Sequence, residues 1–199
     1  MRKLKLEIQV SVDGYIAATD GKTDWMVWNW GPEWSWDAEL QEYNDRLTKS
    51  SDCILLSRQM AEEGFIAHWE NAAKNTKDPQ WEFAKYITKT HKVVFTKTFD
   101  KSIPIPGGWD NTDIANGRLE DEINNLKSKE GKDIIVYGGA SFVSSLIKAN
   151  LIDEYHLLVN PVAIGSGLPI FKERTNLKLV SAKGFSCGVV ALHYQPFSI

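Results

Sequence analysis

Short aliphatic, β-branched runs alternate with helix-spaced apolar residues along most of this chain, and that alternation leaves few folds open to it. Leu4 to Val10 alternates apolar and polar side chains and predicts a strand. Leu40, Tyr43 and Leu47 then repeat at helical spacing. Cys53-Ile54-Leu55-Leu56 reads as a short buried strand, with a helix from near Gln59. Asp78-Pro79 predicts a helix start, Asp78 as cap and Pro79 at the first helical position, with Phe83, Tyr86 and Ile87 on the apolar face. Lys92 to Thr96 is a strand rich in β-branched residues, and Leu119, Ile123 and Leu126 mark a helix that ends before Gly131. Ile134 to Tyr137 is a further strand, closed by Gly138-Gly139. Ser141 is expected to cap the next helix, which turns Val143, Leu146 and Ile147 inward. Tyr155 to Val159 is a strand ended by Asn160-Pro161. Leu177 to Ala182 and Val189 to Gln195 form a hairpin around Gly184 to Gly188. The predicted fold class is α/β: a mostly parallel central sheet flanked by helices, with an antiparallel C-terminal hairpin. No repeat or linker divides the chain, so residues 1–199 are expected to form one domain.

Composition narrows the function classes. The 199 residues are 25% charged with a net charge of −3, and no basic stripe of the kind nucleic-acid binding needs is present. No apolar run reaches the roughly 20 residues that span a bilayer, and Met1 to Glu7 has no signal-type apolar core. Cys53 and Cys187 form no Cys-x-x-Cys pair, sit among apolar residues and read as free thiols, which suits a reducing cytoplasm. His68, His91, His156 and His193 are scattered without metal-ligand spacing, and no G-x-S-x-G elbow is present. The expectation is a cytoplasmic protein with no metal, no nucleic acid and no membrane among its partners.

In open α/β sheets ligands bind beyond the carboxyl ends of the strands. Ser57-Arg58, Thr96-Lys97-Thr98 and Gly138-Gly139 all fall there. Two glycines admit a ligand close to the backbone, a following helix offers unpaired N–H groups to a phosphate, and Arg58 and Lys97 add charge. A tight strand-to-helix turn with two solvated cations accounts for the same residues. Neither the Rossmann nor the P-loop pattern occurs.

Taken in order, Ser11-Val12-Asp13-Gly14-Tyr15-Ile16-Ala17, Leu55-Leu56-Ser57-Arg58, Asp133 to Ala140, Leu151 to Tyr155, Asn160-Pro161-Val162 and Gly165 to Phe171 resemble the dihydrofolate-reductase-like family that includes the reductase domain of riboflavin biosynthesis. The resemblance covers nearly the whole chain. It implies an NADPH-dependent oxidoreductase of a small heterocycle, similar to 5-amino-6-(5-phosphoribosylamino)uracil reductase, and a homodimer. It also implies a cofactor site. Arg58 would lie near the adenosine phosphates and Thr96, Lys97 and Thr98 along the adenosine side. Gly138, Gly139, Ala140, Ser141 and Phe142 would hold the pyrophosphate, with Ile16 and Ala17 flanking the nicotinamide.

Two departures stand out. The family's Gly-Arg-x-Thr is here Ser57-Arg58-Gln59-Met60, which removes a threonine hydroxyl. The acid that dihydrofolate reductase carries on its first helix is matched by either Asp37 or Glu39, the candidate catalytic residues; solvated acids of a helix's first turn fit both equally. Trp25, Trp28, Trp30, Trp34 and Trp36 crowd one stretch. Trp28 and Trp30 are the candidate substrate-stacking residues, a packed loop or dimer contact being the other reading. A pterin reductase and a non-catalytic nucleotide-binding protein remain as alternatives.

Overall fold

All seven residues of β1 (Leu4–Val10) are buried, although every second one is polar. Its place explains this. β1 runs near the middle of an eight-stranded sheet of order β4-β3-β2-β5-β1-β6-β8-β7 and is covered on both faces. The computed structural model describes residues 1–28, 35–98 and 100–197.

The other strands are β2 (Ser51–Ser57), β3 (His91–Phe95), β4 (Thr112–Ala115), β5 (Asp133–Val136), β6 (Glu154–Val159), β7 (Leu177–Gly184) and β8 (Val190–Pro196). β1 to β6 pair in parallel, and β6, β8 and β7 are antiparallel neighbours. The helices are α1 (Ala38–Lys49), α2 (Arg58–Glu62), α3 (Phe65–Lys74), α4 (Trp81–Lys89), α5 (Leu119–Ser128) and α6 (Ala140–Lys148).

Two apolar layers hold the helices on the sheet. Leu4, Leu6, Ile8 and Val10 pack with Ile123 of α5 and with Val143 and Leu146 of α6. The opposite layer joins Leu40 and Leu47 of α1, Phe65 and Trp69 of α3 and Phe83 and Ile87 of α4 to Ile54, Leu56 and Val94. Lys5, Glu7 and Gln9 therefore point to the α1 side, since side chains alternate across a strand. The predicted fold class is the observed one.

Several local expectations need correction. Gln80, not Asp78, precedes α4; the Asp78 carboxylate instead accepts from the Gln80 N–H at 2.8 Å in an Asx turn. Gly139 occupies the cap of α6, so Ser141 lies in its first turn. β4 was not expected, because Thr112-Asp113-Ile114-Ala115 is a four-residue edge strand with half its residues polar. Cys53 is buried, whereas Cys187 is partly exposed. No helix among the described residues is long and apolar enough to cross a membrane.

Candidate active site

A cleft of about 1080 Å³ opens along the carboxyl ends of β1, β2 and β5. It sits at the upper end of the roughly 300–1,000 Å³ usual for ligand sites. Three structural features build its walls.

The first wall is the start of α6. β5 ends at Val136, and Gly138-Gly139 turns the chain into the helix with no side-chain cap. The Val143 N–H bonds the Gly139 carbonyl at 2.8 Å, which leaves the N–H groups of Ala140, Ser141 and Phe142 as the first-turn donors. A Cβ on Gly138 would meet nothing within 4 Å, so the cleft reaches the backbone there.

The second wall starts where β2 passes into α2. The Ser57 hydroxyl caps α2, accepting from the Met60 N–H at 3.2 Å. Arg58 is the first helical residue and donates to Glu62 at 2.8 Å and to Thr98 Oγ1 at 2.7 Å. β2 and β3 are neighbours, Ser57 opposite Phe95, which places Thr98 beside Arg58. Thr96 is buried and Lys97 exposed; neither lines the cleft, nor does Thr98.

The third wall is the segment after β1. Ile16 donates to the Leu168 carbonyl at 3.0 Å, and Leu168 donates back to Ala17 at 2.8 Å. Gly167 permits this approach, since a Cβ there would lie 2.2 Å from the Ala17 oxygen. Gln9 Nε2 donates to the Trp28 carbonyl at 2.9 Å, and the Val27 N–H donates to the buried Asn160 side chain at 2.8 Å. These bonds fix Trp28 over the sheet edge, where its ring meets Trp36 edge-on at 4.7 Å. Trp28 lines the cleft. Trp30 lies outside the described residues.

The floor holds a residue that sequence reasoning passed over. Glu7 lines the cleft yet is only 5% exposed. Asn44 of α1, with its NH₂ turned toward the carboxyl, donates to Glu7 Oε2 at 3.1 Å and also meets Oε1. Burial, aided by the charge of Asp45, pushes the Glu7 carboxyl up to about 8. No motif announces Glu7. The signal was its polar side chain at mid-strand, which is informative only once β1 is known to be central.

Asp37 and Glu39 do not line this cleft. Asp37 caps α1, accepting from Leu40 N–H at 2.9 Å, and its other oxygen accepts from Ser186 Oγ at 2.8 Å and Cys187 N–H at 3.0 Å. These bonds, the Leu40 N–H first, hold its carboxyl down to about 2. Glu39 pairs with Lys183 at 3.3 Å. Both acids thus tie α1 to the C-terminal hairpin.

His156 and His193, far apart in sequence, stack at 4.2 Å across β6 and β8. With Glu154 they bring ligand-type atoms within 4.8 Å of one another, a spacing a metal ion could bridge. Lys3 at 2.7 Å and Lys5 at 4.0 Å already supply fixed positive charge to the Glu154 carboxylate.

Residues 2–191 match the model of the RibD C-terminal domain. The chain belongs to the RibD C-terminal domain family. It is 32% identical over 200 residues to the uncharacterized protein YyaP of Bacillus subtilis, covering 98% of this chain and 95% of that one. A putative riboflavin biosynthesis protein of Shewanella superimposes with a TM-score of 0.67 at 20% identity, both chains covered in full. A diaminohydroxyphosphoribosylaminopyrimidine deaminase/5-amino-6-(5-phosphoribosylamino)uracil reductase of Thermotoga maritima superimposes at 0.65 with 15% identity, over 98% of this chain and 57% of that one. These likenesses place the RibD C-terminal fold, with its dihydrofolate-reductase-like sheet, beyond the family match alone.

Proposed function

We propose that the protein is an NADPH-dependent reductase of a small heterocycle, of the type represented by the reductase of riboflavin biosynthesis. One observation carries the reading: a single cleft joins the uncapped, open start of α6 to an aromatic wall and a polar floor. The residues suit a dinucleotide. Anions are favoured at a helix N-terminus, and Gly138 leaves room for close approach. When bound, NADPH supplies the hydride.

The chain's own groups then position and enclose. The N–H groups of Ala140, Ser141 and Phe142 hold pyrophosphate oxygens. Arg58, steadied by Thr98, faces the adenosine phosphates, with Thr96 and Lys97 alongside. Ile16 and Ala17 flank the nicotinamide and exclude water. Trp28 covers the heterocycle, and the Glu7 carboxyl, set by Asn44, hydrogen-bonds its edge. A second copy of the chain is proposed to pair at the C-terminal hairpin, where the edge strand β7 leaves Leu179 and Val180 half exposed.

Loss of nicotinamide absorbance on mixing protein, NADPH and a panel of aminopyrimidines, ribosylaminopyrimidines and pterins tests the reading. Oxidation of the cofactor with an aminopyrimidine supports it. Oxidation with pterins alone selects the pterin-reductase alternative. Tight NADPH binding with no oxidation by any of them marks a nucleotide-binding protein without catalysis.

A further inference from the structure

We infer that the substrate is an uncharged planar heterocycle or its free riboside and carries no phosphate; this deepens the proposed reductase function and rests on it. The inference comes from the charges on the cleft wall. Among the described residues the lining holds four acids, Glu7, Asp20, Glu62 and Glu63, but one arginine and no lysine. The undescribed stretch 29–34 reads Asn-Trp-Gly-Pro-Glu-Trp and contributes a further acid and no cation.

The single arginine is committed elsewhere. Arg58 lies at the junction of β2 and α2, bonded to Glu62 and Thr98, beside the start of α6. Gly139 marks that proximity, since a Cβ on it would stand 2.8 Å from Ser57 Oγ. The cofactor's own phosphates take that corner, so nothing cationic remains for a second phosphate. Lys22, the lysine nearest in sequence to the third wall, does not line the cleft and pairs with Asp20 at 2.7 Å. Phosphate esters are ordinarily gripped by Arg or Lys or by helix N-termini. A dianion placed beside Asp20 and Glu7, without such groups, meets repulsion and an uncompensated loss of hydration.

What the substrate end does offer is flat and hydrogen-bonding. Trp28 and Trp36 give aromatic surface, Met26 a pliable wall, and Glu7, Gln9 and Asn44 a row of polar groups on the floor. A site of that kind reads the edge of a neutral ring.

The test compares 5-amino-6-(5-phosphoribosylamino)uracil with its dephosphorylated riboside as substrates for NADPH oxidation by the full-length protein. The riboside is expected to show a kcat/KM at least about tenfold higher, and Met26→Lys should narrow that ratio by about fivefold by giving the ester a cation. An ester used as well as or better than the riboside overturns the inference while leaving the reductase reading intact. A ratio unmoved by Met26→Lys in a folded variant also overturns it, because charge would then not decide the preference. If neither compound nor any other heterocycle in the panel is reduced, the reductase reading itself fails, and this inference with it.

Discussion

Glu7 Oε2 accepts a hydrogen bond from the Asn44 amide at 3.1 Å, joining the floor of the cleft to helix α1. This carboxyl is buried in both senses: enclosed by the sheet and turned into the ligand site. Burial favours its neutral form and moves it from 4.5 to about 8. The consequence for stability has a definite sign. Below about pH 4.5 the folded and unfolded chains both carry the proton. Between 4.5 and 8 the folded chain keeps it and the unfolded chain loses it, so stability from this group falls as pH rises and is lost through pH 8. Glu7→Gln should remove that slope. Denaturant unfolding of both proteins at pH 5 and pH 8 checks it. The variant should gain on the order of a few kcal/mol relative to wild type across the interval; an unchanged difference would mean that Glu7 is already ionised in the fold.

Arg58 and Lys97 follow neighbouring strands, and together they are expected to favour NADPH over NADH. Arg58 is about half exposed and must loosen its pair with Glu62 to hold a 2′-phosphate, so the gain is smaller than for a buried fork. Arg58→Ala/Lys97→Ala should weaken NADPH binding by about tenfold, or about 1.4 kcal/mol, and leave NADH nearly unchanged. Calorimetric dissociation constants for both cofactors at one salt concentration decide this. Equal losses for the two cofactors would show that these side chains do not read the 2′-phosphate.

Trp28 lines the cleft, whereas Trp109 sits away from it with its indole N–H bonded to the Ile103 carbonyl at 2.9 Å. Quenching of intrinsic fluorescence by a bound heterocycle should drop most in Trp28→Phe and persist in Trp109→Phe. Trp69 makes a poor control because it lines the cleft as well. The same fractional quenching in both variants would detach Trp28 from the substrate site.

Much of this was legible in the sequence because local pattern and tertiary role agree. The strand at Ile134 to Tyr137, the Gly138-Gly139 turn and the following helix all lie where their spacing puts them, give or take a residue. The expectations that failed did so where distant chain decides. Asp37 has the sequence context of a free first-turn acid, but the hairpin turn at Ser186 and Cys187 uses both its oxygens, one shared with Leu40. The stacking of His156 and His193 depends on the β6–β8 register, and no spacing rule reaches across the intervening loop. Glu7 looked like the solvent face of an alternating strand. That face became a cleft floor only because α1 folds over it. Four-residue β4 owes its existence to pairing with β3 rather than to propensity.

The central claim is that NADPH lies on the backbone at the start of α6. Gly139 cannot test it cleanly: its φ of +84° disfavours any side chain, and a Cβ would press on Ser57. Gly138 can, because a side chain there meets only open cleft. The deciding measurement is the NADPH dissociation constant of wild type and Gly138→Val, taken with their thermal midpoints. The account predicts saturable binding to wild type, at least tenfold weaker binding to the variant, about 1.4 kcal/mol, and matching midpoints without ligand. Equal affinity in a folded Gly138→Val, or no NADPH binding to wild type, would contradict it.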